Sequence, residues 1–349
     1  MANIMVNEAC NLRCPYCFAE EFVNKSKNEM TVADFRTALN FVLGDGSDRQ
    51  VGIIGGEPLL YSHIDEVMRM ALSDPRSEYV MIYTNAVELD RLETDILRAK
   101  KFRMLVNFNS YEDMGQKAFE KMCDNLISFQ NDHFGEGRFR LSINIYKPDF
   151  DYSYVIPIIE ELGFDVIRLS VSVPQKGDLN GKTPLEYFND MKLVAMRFVC
   201  DMIRHGVITG FDCNFLPACV LTDNERESVM AAKEVLYNAL SDKFSEDFWQ
   251  RSIVNEIHNC SPVIDILPDL RAIRCFGMSE YTKENIRDFA TITDLRNHYI
   301  NTVDRPAIDV WTSDRCKDCF ERALGECSGG CLLFKAEKLF AGKTAGSKS

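Results

Sequence analysis

The chain has 349 residues, 46% of them hydrophobic, which is enough for one large packed domain or two. A net charge of −13 argues against a nucleic-acid partner, because phosphate binding calls for a basic surface. No apolar run reaches the roughly 18–20 residues that cross a bilayer, and Met1-Ala-Asn opens no signal peptide.

Thirteen cysteines without an export signal fit a reducing cytoplasm and metal ligation rather than a disulfide framework. The first predicted strand is Ile4-Met5-Val6, followed by a loop, Cys10-Asn-Leu-Arg-Cys14-Pro-Tyr-Cys17-Phe18. Three thiolates at these spacings can wrap one face of an iron–sulfur cluster, which normally takes four. No cysteine follows until Cys123, so one iron is left open to another ligand. Spacing alone also admits a zinc loop.

Thr31 with Asp34 three residues on reads as a helix start, Phe35, Leu39 and Val42 repeat at helical spacing, and Gly44 is the stop. Val51-Gly-Ile-Ile runs as a strand into Gly55-Gly56-Glu57-Pro58. The glycine pair allows close approach of a ligand, Glu57 offers a carboxylate to an ammonium group, and Pro58 suits a turn or helix start. Strands are predicted over 79–85, 103–109, 138–146 and 166–173, and helices over 90–101, 113–130, 152–162 (stopped by Gly163) and 183–204. Six βα units predict a parallel sheet, open or closed. At the strand ends stand Thr84, Asn85, Asn109, Ser110, Asn144, Arg168 and Ser170, where parallel α/β folds gather function and where caps and turns also occur.

Beyond Arg204 the βα rhythm ends and cysteines crowd in: Cys213, Cys219, Cys260, Cys275, Cys316, Cys319, Cys327 and Cys331. Eight thiolates saturate two four-cysteine clusters. Cys123 and Cys200 sit on apolar helical patterns and read as core. Cys316-x2-Cys319-x7-Cys327-x3-Cys331 is open between zinc and iron–sulfur on spacing alone. The five histidines show no ligand spacing, and the tail 341–349 reads as disordered. Asp178, Asp212 and Glu280 are unranked candidates for an acid or base, so the catalytic group stays unknown.

The Cys-x3-Cys-x2-Cys loop with Phe18 beside it resembles the signature of the radical SAM superfamily. That resemblance implies a [4Fe–4S] cluster on Cys10, Cys14 and Cys17, whose open iron binds S-adenosylmethionine for reductive cleavage to a 5′-deoxyadenosyl radical. It also implies an α/β partial (β/α)6 barrel over 1–206, with the cluster at the C-terminal mouth. Gly55-Gly56-Glu57-Pro58 resembles the motif that meets the amino group of S-adenosylmethionine. Thr84-Asn85 resembles the family's Thr-Asn-Gly, with Ala86 replacing the glycine. Ser110 and Asn144 are candidates for ribose and carboxylate contacts, and Arg168 for a carboxylate clamp.

The C-terminal cysteines resemble a SPASM region, here 207–340, with one or two auxiliary [4Fe–4S] clusters. The resemblance sends Cys260, Cys275 and Cys331 to one cluster and Cys316, Cys319 and Cys327 to the other. The middle spacing is x7 instead of x5, and no cysteine follows Cys331, so Cys213 and Cys219 are expected to supply one thiolate each. Some SPASM enzymes carry an acid where this chain has Phe276. The architecture implies hydrogen abstraction from a peptide or protein substrate, an external flavodoxin- or ferredoxin-like electron donor and auxiliary clusters that take an electron. The chain begins at its first strand, so no leader-peptide recognition domain is expected before it. Rival readings are a small-molecule radical SAM dehydrogenase and, further off, a non-catalytic iron–sulfur carrier or zinc-binding adaptor.

Overall fold

A computed structural model describes residues 2–26, 28–132, 138–173, 179–211, 216–240, 263–324 and 327–341. In chain order the main elements are β1 (Ala2–Met5), α1 (Val32–Leu43), β2 (Gln50–Ile54), α2 (Ile64–Ser73), β3 (Tyr79–Thr84), α3 (Thr94–Arg98) and β4 (Phe102–Asn107). Next come α4 (Tyr111–Met114), α5 (Gln116–Asp132), β5 (Phe139–Ile145), α6 (Val155–Leu162), β6 (Val166–Val171), α7 (Pro184–Arg204), β7 (Ile208–Phe211) and α8 (Asp223–Leu240). Then follow β8 (Ile264–Ile266), β9 (Arg271–Ile273), β10 (Glu284–Asn285) and α9 (Ile292–Tyr299). The chain divides into two compact units, one of residues 1–141 with 261–305, the other of residues 142–260 with 306–349.

In the first unit β1 to β4 pair in parallel and in chain order. The outer edge of β1 is taken by β8, also parallel, and β9 and β10 continue antiparallel. Both edges of β1 are therefore used, and no full barrel closes through it. Helices supply the crossovers that parallel neighbours require. In α1 the Thr31 side chain accepts from the Asp34 amide, and Phe35, Ala38, Leu39, Val42 and Leu43 form the buried face. The predicted helix over 113–130 is split: Gly115, at φ 84°, separates α4 from α5. The predicted helix over 90–101 shrinks to α3 and a preceding 3-10 turn.

In the second unit β5, β6 and β7 pair in parallel, with Ser142 opposite Arg168 and Val166 opposite Ile208. Helix α7 opens with a capping box between Thr183 and Glu186, and Gly163 ends α6 in the left-handed region. The α/β class, the parallel strands and the unclosed barrel match expectation. The number of strands does not: β7 adds a seventh parallel strand where the rhythm was expected to stop. It is four residues long with a glycine inside, a pattern too short for periodicity to register. The predicted tail beyond residue 341 lies outside the described residues. Among those described, no helix is long and apolar enough to cross a membrane.

Candidate functional site

In the first unit, β1 runs out at Met5 and hands the chain to the cysteine loop. The Val6 amide still donates to Ile54, and the Gly56 and Glu57 amides donate to the carbonyls of Asn7 and Ala9, so the end of β2 holds the start of the loop. A Cβ on Gly56 would meet the Ala9 carbonyl carbon at 2.6 Å and the Glu8 oxygen at 2.7 Å. The glycine pair thus serves the approach of the cysteine-bearing strand end, where the sequence suggested approach of a ligand. Asn24 returns to fasten the loop, its Oδ1 accepting from the Cys10 amide at 2.9 Å. Beneath lies an apolar floor of Met5, Ala19, Ile54, Leu267, Ile273 and Phe276, against which Cys17, Phe22, Val23 and Tyr83 pack.

Cys10, Cys14 and Cys17 are all partly buried. Burial pushes the Cys10 thiol up to about 11 and the Cys14 thiol up to about 12, and raises Cys17 as well. Charge on Cys17 raises Cys10, and charge on Cys10 and Cys17 raises Cys14, so the three sulfurs share one small region. Three thiolates crowded together call for a cationic partner, and amide donors already face them. The Leu12 amide donates to Cys10 Sγ at 3.4 Å, and Asn109 Nδ2 donates to Cys14 Sγ at 3.4 Å. Hydrogen bonds to cluster sulfurs are the surroundings such ligands require, so the donor set fits an iron–sulfur cluster. Among the described residues no three His, Cys, Asp or Glu side chains are gathered tightly enough for a single metal ion, whereas a cubane spreads its thiolates over several irons.

Glu57 is held by three donors. It is 1% exposed, with Oε1 accepting from the Leu59 amide at 3.0 Å and the Thr84 hydroxyl at 2.6 Å, and Oε2 accepting from the Asn85 amide at 2.8 Å. Desolvation dominates and lifts its pKa to about 7 against those donors. The carboxylate thus ties the end of β2 to the end of β3. Pro58 opens a 3-10 turn capped by Glu57. Asn85 Nδ2 reaches Asn11 Oδ1 at 2.8 Å, linking β3 to the cysteine loop. Ala86 stands at φ 57°, the left-handed position that a glycine would take without strain. Phe18 is 53% exposed and meets Phe276 edge-on at 5.0 Å. Ser110 caps α4 through the Asp113 amide.

Tyr16 escaped the sequence reading, and Asn109 was named there only as a strand-end residue without a role. Tyr16, between Cys14 and Cys17, donates its hydroxyl to Asn109 Oδ1, and Asn109 is the side chain that reaches Cys14. The available signals were an aromatic inside the motif and an asparagine at the end of the fourth strand, of which only the neighbouring Ser110 was carried forward.

The other expected positions fall in the second unit. Ser170 donates to Asn144 Oδ1 at 2.7 Å, and Arg168 Nη1 donates to the Ser142 hydroxyl. The Cys219 thiol is raised by burial and then by charge on Cys316 and Cys327, with Arg315 opposing and Cys319 adding to it. The Gly329 amide donates to Cys327 Sγ at 3.3 Å. Lys335, fully buried, donates to the carbonyls of Ala307 at 3.0 Å and of Ser328. Its ammonium feels the charges of Cys327, Cys331 and Cys316. Cys275 belongs to the first unit and Cys331 to the second, while Cys213, Cys260, Asp178 and Asp212 lie outside the described residues. Glu280 is exposed, and Phe276 packs against Phe18 and Phe22.

The family model described as Radical SAM superfamily matches residues 4–131, the span that holds the cysteine loop and β1 to β4. Over those residues the chain matches a radical SAM domain, a family that uses S-adenosylmethionine and a [4Fe–4S] cluster. Among curated relatives, the chain is 32% identical over 133 residues to a GTP 3′,8-cyclase of Chlorobaculum tepidum, covering 34% of this chain and 39% of that protein. It is 31% identical over 121 residues to molybdenum cofactor biosynthesis protein 1 of Drosophila melanogaster, covering 34% of this chain and 21% of that protein. The chain therefore spans well under half the length of these relatives. Among solved structures, anSMEcpe with bound AdoMet and the Kp18Cys peptide superposes at TM-score 0.61 and 16% identity, covering 97% of this chain and 95% of that one. SuiB of Streptococcus suis bound to precursor peptide SuiA gives TM-score 0.60 and 18% identity, covering 95% and 71%. These likenesses extend the shared fold over nearly the whole chain.

Proposed function

We propose that this radical SAM enzyme abstracts hydrogen from a peptide or protein side chain in an oxidative modification or cross-link. The observation that carries the reading is the extent of the fold likeness. It spans 97% of the chain for anSMEcpe with a bound peptide, whereas the likeness to GTP 3′,8-cyclase is confined to about a third of the chain. A likeness confined to a third speaks to shared cofactor chemistry more than to substrate. When bound, the cluster supplies the electron that splits S-adenosylmethionine into methionine and the 5′-deoxyadenosyl radical. Cys10, Cys14 and Cys17 would hold the cluster on the apolar floor, with Phe18, Gly55, Gly56, Glu57, Pro58, Thr84, Asn85, Ser110, Asn144 and Arg168 as candidates for placing S-adenosylmethionine. Oxidation of a substrate radical leaves an electron to be removed. Cys316, Cys319, Cys327 and, from its electrostatic grouping with them, Cys219 are the candidate ligands of an auxiliary cluster that accepts it. Cys213, Cys260, Cys275 and Cys331 are the candidates for a second. The electron donor is a flavodoxin- or ferredoxin-like protein.

The GTP 3′,8-cyclase likeness favours a second reading, a nucleotide substrate. Anaerobically reconstituted protein, incubated with S-adenosylmethionine and reductant, is offered either a mixture of unstructured peptides or GTP. The proposal expects peptides to stimulate 5′-deoxyadenosine release and to lose two hydrogens by mass. Stimulation by GTP alone overturns it. Iron and sulfide amounting to a single cubane would remove the auxiliary clusters, as would Cys219→Ala leaving the metal content unchanged.

A further inference from the structure

Cys14 is the middle ligand of the cysteine loop, and its sulfur has a neighbour that the reaction scheme does not use. Asn109, 3% exposed just beyond β4, donates Nδ2 to Cys14 Sγ at 3.4 Å. A primary amide can turn over and present its oxygen instead of its nitrogen. What fixes this one is Tyr16, which donates its phenol hydroxyl to Asn109 Oδ1 and is itself hydrogen-bonded to Cys14. With the oxygen engaged by a donor, the nitrogen must face the sulfur. Tyr16 lies within the same loop as the thiols, so the loop itself orders the donor to its own ligand.

A hydrogen bond to a cluster thiolate draws electron density from the sulfur and favours the more reduced state of the metal. We propose that Tyr16 and Asn109 set the reduction potential of the cluster on Cys10, Cys14 and Cys17, both bonding Cys14, with the phenol also aiming the amide. This rests on that cluster being present, which the radical SAM domain implies. Loss of the amide should shift the potential to more negative values, and an isosteric carboxylate, which accepts only and adds charge, should shift it further.

The test is a redox titration followed by electron paramagnetic resonance on the full reconstituted chain, reading the signal that Cys14→Ala abolishes. The expected order of midpoint potential is wild type highest, then Tyr16→Phe and Asn109→Leu, with Asn109→Asp lowest. Mere loosening of the site would not place the isosteric Asp variant below Leu. Wild-type potentials in iron-replete variants overturn the proposal. So does a failure of Asn109→Leu to take up iron combined with a wild-type potential in Tyr16→Phe. Absence of the signal from the wild-type protein would instead remove the cluster itself, a separate outcome visible before any variant is made.

Discussion

Asp265 on β8 and Thr84 on β3 show how single buried polar groups hold the first unit together. Asp265 is 3% exposed and accepts from Asn3 Nδ2 at 2.7 Å, joining β8 to β1 across 262 residues of sequence. Burial lifts its pKa from the ordinary 3.8 to about 7, with Asn3 and Arg274 opposing. A carboxyl whose folded pKa lies above its unfolded value binds more protons when folded. Stability from this group is therefore full below about pH 4, falls as pH rises toward 7 and is level beyond. Asp265→Asn keeps the acceptor and removes the charge. Denaturation curves should show the variant gaining on the wild type by about 4 kcal/mol between pH 4 and pH 8, at 1.36 kcal/mol per pKa unit. A difference that does not change with pH contradicts the assignment. Thr84 donates to Glu57 Oε1 and accepts from the Ala86 amide at 2.9 Å. Thr84→Val strips partners from two buried groups, and chemical denaturation should register a loss of about 2 kcal/mol.

At the scale of elements, the junction of β2 with the cysteine loop governs whether the thiols can meet. Gly56→Ala forces a Cβ against the backbone of Glu8 and Ala9, neither of which is a flexible side-chain tip. The loop must then move, and the expected result is strongly reduced iron uptake at unchanged expression. Full iron loading in Gly56→Ala would show that the close approach is dispensable. Elements carrying their own local signals were legible in the sequence. Thr31 and Asp34 announce α1, Thr183 and Glu186 announce α7, and Gly163 ends α6. Elements defined by distant partners were not. The three residues of β8 become a strand because β1 offers an edge, and Tyr299 ties β9 to the chain beyond by donating to the carbonyls of Ala272 at 2.9 Å and Thr282 at 2.8 Å. A triplet such as Ile264–Ile266 has no periodicity of its own. The same holds for Asn109, whose meaning depends on a cysteine 95 residues away.

At the scale of the molecule, ligands contiguous in sequence were readable and ligands gathered by folding were not. Cys10, Cys14 and Cys17 share eight residues of chain, so their spacing carries the chemistry. Charge on Cys316, Cys327 and Cys319 raises the Cys219 thiol after burial, which makes Cys219 the proposed partner of those three where counting thiols left it interchangeable with Cys213. Lys335 is likewise silent in sequence, yet its ammonium is buried against the carbonyls of Ala307 and Ser328. Lys335→Met leaves both carbonyls without that donor, and thermal unfolding should fall by several degrees. The central claim is that the cysteine loop leaves an iron open for S-adenosylmethionine. The direct measurement is 5′-deoxyadenosine release by reduced, reconstituted protein. Release is expected from the wild type and none from the variant with Cys10, Cys14 and Cys17 all replaced by Ala, whereas undiminished release from that triple variant would contradict the account.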